Sequence, residues 1–286
     1  MLGAVPLYEP LSTLARKYEV VLCDIWGVVH NGAAIHAEAA DALRLFRERG
    51  GSVILVSNAS RLGTMVTSQL EELGMSSSAY DALITSGDVT RDYIAARPGC
   101  ALLDVGPGNA RLICQSLNVR FTSIQEADFA ISSGAFDSAD KTPEDLVPLL
   151  LDMRAKSIVL LCANPDVATK LGGRQVRCSG ALAELYGELG GTVIYGGKPQ
   201  AQIYEKALAV AAELRGTAVR RERVLTIGDS LGTDIAGAIA NGFASLFVLG
   251  GIHAEELGVP PTSAALEQLY MRFSAFPTAV TDRLVW

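Results

Sequence analysis

Three aspartates, a lysine and a serine occupy positions of this sequence from which their side chains could act together on a phosphate group. Each lies at the end of a short apolar run or near a helix start, and they are Asp24, Ser57, Lys198, Asp229 and Asp234. A carboxylate can attack phosphorus and form an acyl-phosphate, but its charge repels a phosphate dianion. Such a site needs cations, which a Lys ammonium and a divalent metal bound by carboxylates would supply. A hydroxyl and main-chain N–H groups at a helix start bind the remaining phosphate oxygens.

Short apolar runs rich in β-branched residues precede these side chains and predict strands. They are Tyr18–Asp24, Ser52–Val56, Arg223–Ile227 and Ala244–Leu249. Continuous runs of this kind are typical of parallel strands that are covered on both faces. Ligands bind beyond the carboxyl ends of such strands. We therefore expect Asp24, Ser57 and Asp229 to meet at one edge of a sheet.

Helical patterns lie between the predicted strands. The residues that share a helix face are Ala39, Ala42, Leu43 and Phe46, then Val66, Leu70 and Leu73, and later Ile203, Ala207, Val210 and Leu214. Each set repeats at helical spacing. Alternation of strand and helix predicts a doubly wound α/β domain with a parallel sheet.

The middle of the chain predicts a second α/β domain. Three further strand-like runs occur there, at Cys100–Val105, Ala127–Ser132 and Ser157–Cys162. This segment is inserted between the second and third core strands. We expect a discontinuous core of residues 1–83 and 193–286, with an inserted domain of residues 84–192.

The order of these motifs resembles that of the haloacid dehalogenase (HAD) superfamily. The motifs are Asp24-x-x-Gly27-Val28, Ser57-Asn58, Gly197-Lys198-Pro199 and Gly228-Asp229-Ser230-x-x-Thr233-Asp234-Ile235. The insertion resembles that of class IIA members, the NagD-like phosphatases, as do residues 190–199 and 249–253. The resemblance implies a HAD-like core with an α/β cap of the C2 type. It also implies Mg²⁺-dependent hydrolysis of a small sugar phosphate or nucleotide through an aspartyl-phosphate.

The resemblance implies a role for each matching residue. Asp24 would be the nucleophile, Ser57 would bind phosphate, and Lys198 would pair with Asp24 and the phosphate. The Mg²⁺ ligands would be Asp24, the main-chain carbonyl of Trp26, Asp229 and Asp234. The phosphate- and substrate-binding positions would be Trp26, Gly27, Asn58, Asn164 and Asp166. The last two lie in Ala163-Asn164-Pro165-Asp166, which resembles the substrate-specificity loop of class IIA members.

Trp26 departs from the pattern of the phosphatases that the chain resembles. They usually carry an Asp there, two residues after the nucleophile, which protonates the leaving group and activates water. General acid–base catalysis is typically worth ~10²–10⁴-fold. Three outcomes stay open: a slow phosphatase for good leaving groups, replacement of the acid by a group such as His30, or a phosphate-binding protein without turnover. A C–halogen hydrolase would also lack the second Asp. Such enzymes need no metal, however, and Asp229 and Asp234 form a good metal-binding pair, which disfavours this alternative.

Composition excludes several classes of protein. The net charge is −7 and no long run of Lys or Arg occurs, so nucleic acid is not an expected partner. No apolar run approaches the ~20 residues that span a membrane, and residues 1–19 do not resemble a signal peptide. Five cysteines without a CxxC motif indicate reduced thiols and predict a cytoplasmic protein.

The expected partner is a small phosphorylated metabolite of unidentified structure. The oligomeric state is left open, with a homodimer as one option.

Overall fold

The structure, a computed structural model, describes residues 7–108, 110–137, 141–171 and 174–286. These divide into two compact units. The first unit contains the described residues of the segments Met1–Ser57, Thr64–Ile84 and Lys198–Trp286, and the second contains those of Asn58–Gly63 and Thr85–Gly197. Residues 58–63 and 193–197, which the sequence prediction assigns to the first domain, group with the second unit.

Strands and helices alternate along the described residues. The strands are β1 (Leu7–Tyr8), β2 (Val20–Cys23), β3 (Ser52–Ser57), β4 (Ala82–Thr85), β5 (Ala101–Asp104), β6 (Arg120–Phe121), β7 (Phe129–Ser132), β8 (Ala135–Phe136), β9 (Val159–Cys162), β10 (Ala168–Leu171), β11 (Arg174–Cys178), β12 (Val193–Tyr195), β13 (Val224–Gly228), β14 (Ala244–Val248) and β15 (Ala279–Thr281). The α-helices are α1 (Leu11–Leu14), α2 (Ala37–Glu48), α3 (Gly63–Glu72), α4 (Ser86–Ala95), α5 (Ala110–Ile113), α6 (Val147–Ala155), α7 (Ser179–Glu188), α8 (Ala201–Arg215), α9 (Ala236–Ala240), α10 (Ala254–Leu257) and α11 (Ser263–Phe273). Short 3₁₀ turns occur at Ser77–Ala79, Pro143–Leu146 and Arg221–Arg223, and a π-helical turn at Leu231–Ile235.

A seven-stranded sheet runs through the first unit in the order β1-β15-β14-β13-β2-β3-β4. Its neighbours from β1 to β3 all pair in parallel. Every residue of β2 and β13 is buried, because helices cover both faces of a doubly wound sheet. The four strands predicted here are confirmed, with ends displaced by at most two residues.

Helix α2 confirms the predicted apolar face, since Ala39, Ala42, Leu43 and Phe46 are all buried. Helix α8 departs from its prediction at one end. Ile203, Tyr204, Ala207 and Ala211 form its buried face, whereas the predicted Val210 is only partly buried and the predicted Leu214 is 52% exposed. Leu214 lies in the last turn, just before the left-handed Gly216 that follows the helix. Its spacing matches the buried face, but the helix end extends beyond the residues that would cover it.

The second unit contains two sheets. A parallel five-stranded sheet has the order β12-β9-β7-β5-β6, and a three-stranded antiparallel sheet has the order β10-β11-β8. The three strands predicted in this region are confirmed as β5, β7 and β9. Leu160, Leu182 and Tyr186 belong to the buried core between sheet and helices, and Tyr186 Oη donates a hydrogen bond to the carbonyl of Ile158 at 2.6 Å. The antiparallel sheet was not predicted, because its strands are short and partly polar.

Within the described ranges, the helices are too short or too polar to cross a lipid bilayer.

Candidate active site

Three neighbouring parallel strands of the first unit end in the predicted catalytic residues. Asp24 follows β2, Ser57 is the last residue of β3, and Asp229 follows β13. Because β3, β2 and β13 are adjacent, their carboxyl ends lie at one edge of the sheet. The main-chain N–H of Asp24 donates to the carbonyl of Ile227 on β13 at 2.8 Å, which extends the strand pairing to the predicted nucleophile.

Lys198 connects two of the carboxylates. Its Nζ donates to Asp24 Oδ1 at 2.5 Å and to Asp234 Oδ1 at 2.6 Å. All three side chains are almost fully buried. A charged hydrogen bond is stronger where water is excluded, so the ammonium fixes the position of Asp24 before any substrate binds.

Asp229 completes the cluster and is positioned by the backbone around it. Carboxylate oxygens of Asp24, Asp229 and Asp234 lie within 4.8 Å of one another. The N–H of Ile252 donates to Asp229 Oδ2 at 2.7 Å. A Cβ atom on Gly251 would lie 2.1 Å from Asp229 Oδ2, and one on Gly27 would lie 2.0 Å from it. Only glycine leaves room for the carboxylate at these two positions.

Ile252 and Gly251 adjoin the Asp229 carboxylate, and the sequence analysis assigned no role to either residue. A backbone N–H donor gives no signal in side-chain types. The adjacent glycines Gly250 and Gly251 after β14 were the available signal, since paired glycines mark a close approach of backbone to another group.

Burial and mutual repulsion disturb the ionisation of this cluster. Burial, and then the charge of Asp234, raise the pKa of Asp24 to about 7, while Lys198 opposes the rise. Burial and the charges of Asp24 and Asp234 raise the pKa of Asp229 well above its usual value. Burial alone would lower the pKa of Lys198, but Asp234 and Asp24 raise it well above its usual value. The lysine therefore stays charged, whereas burial disfavours the ionised forms of Asp24 and Asp229.

This donor set fits a divalent cation. Three carboxylates beside one ammonium leave two negative charges in excess within a buried region. Hard divalent cations such as Mg²⁺ prefer carboxylate oxygens, and a charge of +2 balances the excess. Burial first, and the neighbouring carboxylates second, raise the pKa of Asp24 and of Asp229, and a bound cation would favour their ionised forms.

Trp26 lies on the surface beside the cluster. Its side chain is 44% exposed and packs edge-on against His30, with ring centroids 5.1 Å apart. His30 is buried, and its Nδ1 accepts a hydrogen bond from the N–H of Gly32 at 2.8 Å. That acceptor role leaves Nδ1 without a proton. The ring of Trp26 has no acidic group, so this side chain cannot protonate a leaving group.

Asn58, Asn164 and Asp166 belong to the second unit, where the structure brings them together. Asn58 Nδ2 donates to Asp166 Oδ1 at 2.8 Å, although the two residues are 108 positions apart. Asn164 Oδ1 accepts the N–H of Asp166 at 3.1 Å, which forms a tight turn around Pro165. The residues predicted to contact substrate in this unit thus form one hydrogen-bonded group.

Sequence and structure comparisons connect this geometry with known proteins. The profile of haloacid dehalogenase-like hydrolases matches residues 21–120, and a HAD-hydrolase-like profile matches residues 195–270. A solved structure of a haloacid dehalogenase-like family hydrolase from Brucella suis is 38% identical, with a TM-score of 0.84, over 98% of this chain and 100% of that chain. The chain belongs to the haloacid dehalogenase-like hydrolase family. The two profile matches include Asp24 and Ser57 in the first range and Lys198, Asp229 and Asp234 in the second.

Two further relatives within this hydrolase family are named as phosphatases. A D-glycerol 3-phosphate phosphatase of Mycobacterium tuberculosis is 27% identical over 248 residues, which cover 85% of this chain and 66% of that protein. The chain thus spans just under two thirds of that relative's length. A glycerol phosphate phosphatase from the same organism, solved in complex with magnesium, is 25% identical, with a TM-score of 0.65, over 84% of this chain and 70% of that chain.

Proposed function

We propose that the protein is a Mg²⁺-dependent phosphomonoesterase in which Asp24 is the nucleophile. The observation that carries the proposal is the buried cluster in which Lys198 bonds both Asp24 and Asp234, with Asp229 beside them. A purely structural ion pair would need one carboxylate for one ammonium. Excess carboxylates at the carboxyl ends of parallel strands instead suit a site that binds a cation and a phosphate together.

Each residue of the cluster then has a chemical task. The unprotonated oxygen of Asp24 attacks phosphorus, the bond from phosphorus to the leaving oxygen breaks, and Asp24 becomes an aspartyl-phosphate. Lys198 orients Asp24 and offsets the charge on the phosphate oxygens. Asp229 and Asp234, with Asp24 and the carbonyl of Trp26, are the proposed ligands of Mg²⁺, which when bound neutralises phosphate charge. Ser57 and the N–H groups after it are proposed to bind the phosphate oxygens. Water then hydrolyses the acyl-phosphate and restores the Asp24 carboxylate.

Trp26 determines what kind of ester is cleaved well. Because it donates no proton, the leaving oxygen must depart as an anion or take its proton from water. Esters of acidic alcohols and phenols tolerate this, whereas alkyl esters do not. We therefore propose fast turnover of aryl phosphates and slow turnover of glycerol or sugar phosphates.

We propose a role for each of the two units. The first unit is proposed as the HAD-like core and the second as the class IIA cap, with Asn58, Asn164 and Asp166 as its substrate-binding residues. The relatives named as glycerol phosphate phosphatases, one of them solved with magnesium, support Mg²⁺ and a small phosphate ester. A sugar phosphate or a nucleotide as the natural substrate, a cytoplasmic location and the oligomeric state stay predictions.

Hydrolysis of para-nitrophenyl phosphate by the purified protein tests this proposal. We expect turnover with Mg²⁺, none with EDTA, and a loss of at least about a thousandfold in Asp24→Asn, because the amide cannot form the acyl-phosphate. Asp41→Asn is the matched control, since Asp41 forms an exposed ion pair with Arg44 on α2.

The outcomes separate the proposed enzyme from a binding protein. Turnover that survives in Asp24→Asn would remove Asp24 as the nucleophile. A folded wild-type protein that binds Mg²⁺ and phosphate without any turnover would favour a phosphate-binding protein. Turnover that needs no metal would mean that the carboxylate cluster does not act as a catalytic metal site.

A further inference from the structure

The second unit contains a cavity at the place where open parallel sheets bind ligands. The chain forms β5, crosses to β6 on one side, and then returns to the other side of β5 to form β7, β9 and β12. The direction of winding therefore reverses between β5 and β7. In a five-stranded sheet with this order, the crevice beyond the carboxyl ends of those two strands is the expected ligand site.

Residues from both sides of this switch point line the cavity. It encloses about 120 Å³ and is lined by Gly108 after β5, Ser133 after β7 and Ile113 of α5. Ser60, Arg61 and Leu62 line its other side. All of these residues belong to the second unit. The cavity is distinct from the aspartate cluster, whose members belong to the first unit.

A buried hydroxyl in this cavity has no bonding partner among the residues that the structure describes. Ser133 is 5% exposed and its Oγ makes no hydrogen bond. Burying an unpaired hydroxyl costs free energy, so native proteins rarely leave one unpaired without a reason. Gly108 keeps the space beside it open, since a Cβ at that position would lie 2.6 Å from Ser133 Oγ.

The other lining groups define the chemistry of a ligand. Leu62 and Ile113 provide an apolar surface, and Leu112 lies partly exposed beside them. Of the described lining residues, Arg61 is the charged one, and a guanidinium stays positive at all relevant pH values. An apolar cavity of ~150 Å³ can hold the six carbon atoms of benzene. This partly open cavity of about 120 Å³ therefore has room for about five non-hydrogen atoms, with further space towards solvent.

We propose that this cavity is a second ligand site, for a short hydroxy acid. Its carboxylate would pair with Arg61, its hydroxyl would bond Ser133 Oγ, and its carbon atoms would contact Leu62 and Ile113. The site is independent of the proposed phosphatase chemistry and needs no metal.

Binding of three probes of similar size tests this assignment. Lactate carries both a carboxylate and a hydroxyl, propionate lacks the hydroxyl, and glycerol lacks the carboxylate. Titrations of the full-length protein by saturation-transfer NMR are made in EDTA, where the acidic cluster repels carboxylates. We expect lactate to bind with a millimolar Kd, at least about fivefold tighter than either other probe, because each loses one polar interaction.

Two variants locate the binding. Ser133→Ala should weaken lactate binding to the affinity of propionate and leave propionate binding unchanged. Its unfolding midpoint should be unchanged or higher, because the hydroxyl has no partner in the described chain and its burial costs free energy. Arg61→Gln should remove the preference for lactate over glycerol. Asp24→Asn should bind lactate as the wild type does, so failure of the phosphatase proposal leaves this result standing.

Equal binding of lactate and glycerol, or a Ser133→Ala protein that binds lactate normally, would overturn the proposal. A destabilised Ser133→Ala protein would also count against it, because the hydroxyl would then be structural.

Discussion

Trp26 occupies the position at which the resemblance to HAD phosphatases predicts a proton-donating aspartate. Its ring packs against His30, whose Nδ1 already accepts the N–H of Gly32. The neighbouring cluster of Asp24, Lys198 and Asp229 is otherwise complete. In the proposed phosphatase, Trp26 is thus the residue that leaves the departing oxygen without a proton donor.

Replacing Trp26 with aspartate should return the missing acid. We expect Trp26→Asp to raise kcat/KM for glycerol 3-phosphate at least about tenfold, since general acid catalysis is worth up to ~10⁴-fold for poor leaving groups. The value for para-nitrophenyl phosphate should change much less. Trp26→Asn is the control, because asparagine has nearly the size of aspartate but no acidic group. If both variants change kcat/KM equally for both substrates, the effect of tryptophan comes from its shape and not from its lack of an acidic proton.

Gly251 allows a test of the metal site that leaves all carboxylates in place. A Cβ here would meet Asp229 Oδ2 at 2.1 Å. Gly251→Ala should displace Asp229 and raise the Mg²⁺ concentration for half-maximal turnover about 10–100-fold, the usual cost of disturbing groups around metal ligands. Gly187→Ala is the control, because a Cβ on Gly187 would meet nothing within 4 Å. An unchanged Mg²⁺ requirement in Gly251→Ala would show that Asp229 does not bind the metal.

At the scale of elements, one carboxylate joins a helix to the central sheet of the first unit. Asp81 Oδ1 accepts from Arg47 Nε and Nη2 of α2, at 2.9 and 2.6 Å. Its Oδ2 accepts the N–H of Val53 on β3 at 2.7 Å. The pair is only partly exposed, at 27% for the Arg47 side chain and 19% for Asp81. Asp41 and Arg44 form a similar ion pair on α2, but in a far more exposed setting.

These two aspartates should differ in their contribution to stability. Asp81→Ala leaves the buried N–H of Val53 without its carboxylate acceptor, which costs roughly 1–3 kcal/mol of unfolding free energy. Asp41→Ala removes an exposed pair and should cost at most ~0.5 kcal/mol. Urea denaturation followed by circular dichroism measures both. Equal losses would mean that the Val53 bond adds nothing to the ion pair.

Elements with a strong local pattern could be predicted, and those defined by distant contacts could not. The buried strands β2, β3 and β13 follow from continuous apolar runs. Strands β1 and β15 pair Leu7 with Ala279, but each has at most three residues, too few to show a period. The hydrogen bond from Asn58 to Asp166 also depends on the tertiary fold. The sequence predicted that Asp24, Asp229 and Lys198 would lie together, but it did not predict the Ile252 N–H, because every residue type except proline offers that donor.

At the scale of the whole molecule, the apolar interior encloses every thiol. Cys23, Cys100, Cys114, Cys162 and Cys178 are all free and buried. Burial raises the pKa of Cys162 and Cys178 to about 12 and that of Cys114 to about 11. The thiolate is the reactive form of cysteine, so both access and ionisation oppose reaction in the folded protein.

The native protein should therefore react slowly with Ellman's reagent at pH 8. We expect a rate at least about a hundredfold below that in guanidinium chloride, where all five thiols react, because reaction requires local or global opening. Cys100 is the most exposed of the five and the slow native reaction should begin there. Cys100→Ser should remove the first equivalent, whereas Cys162→Ser, at a fully buried position, should leave it unchanged. If one thiol still reacts rapidly in Cys100→Ser, that thiol must lie on a segment that opens. Its position would then show which part of the fold opens most readily.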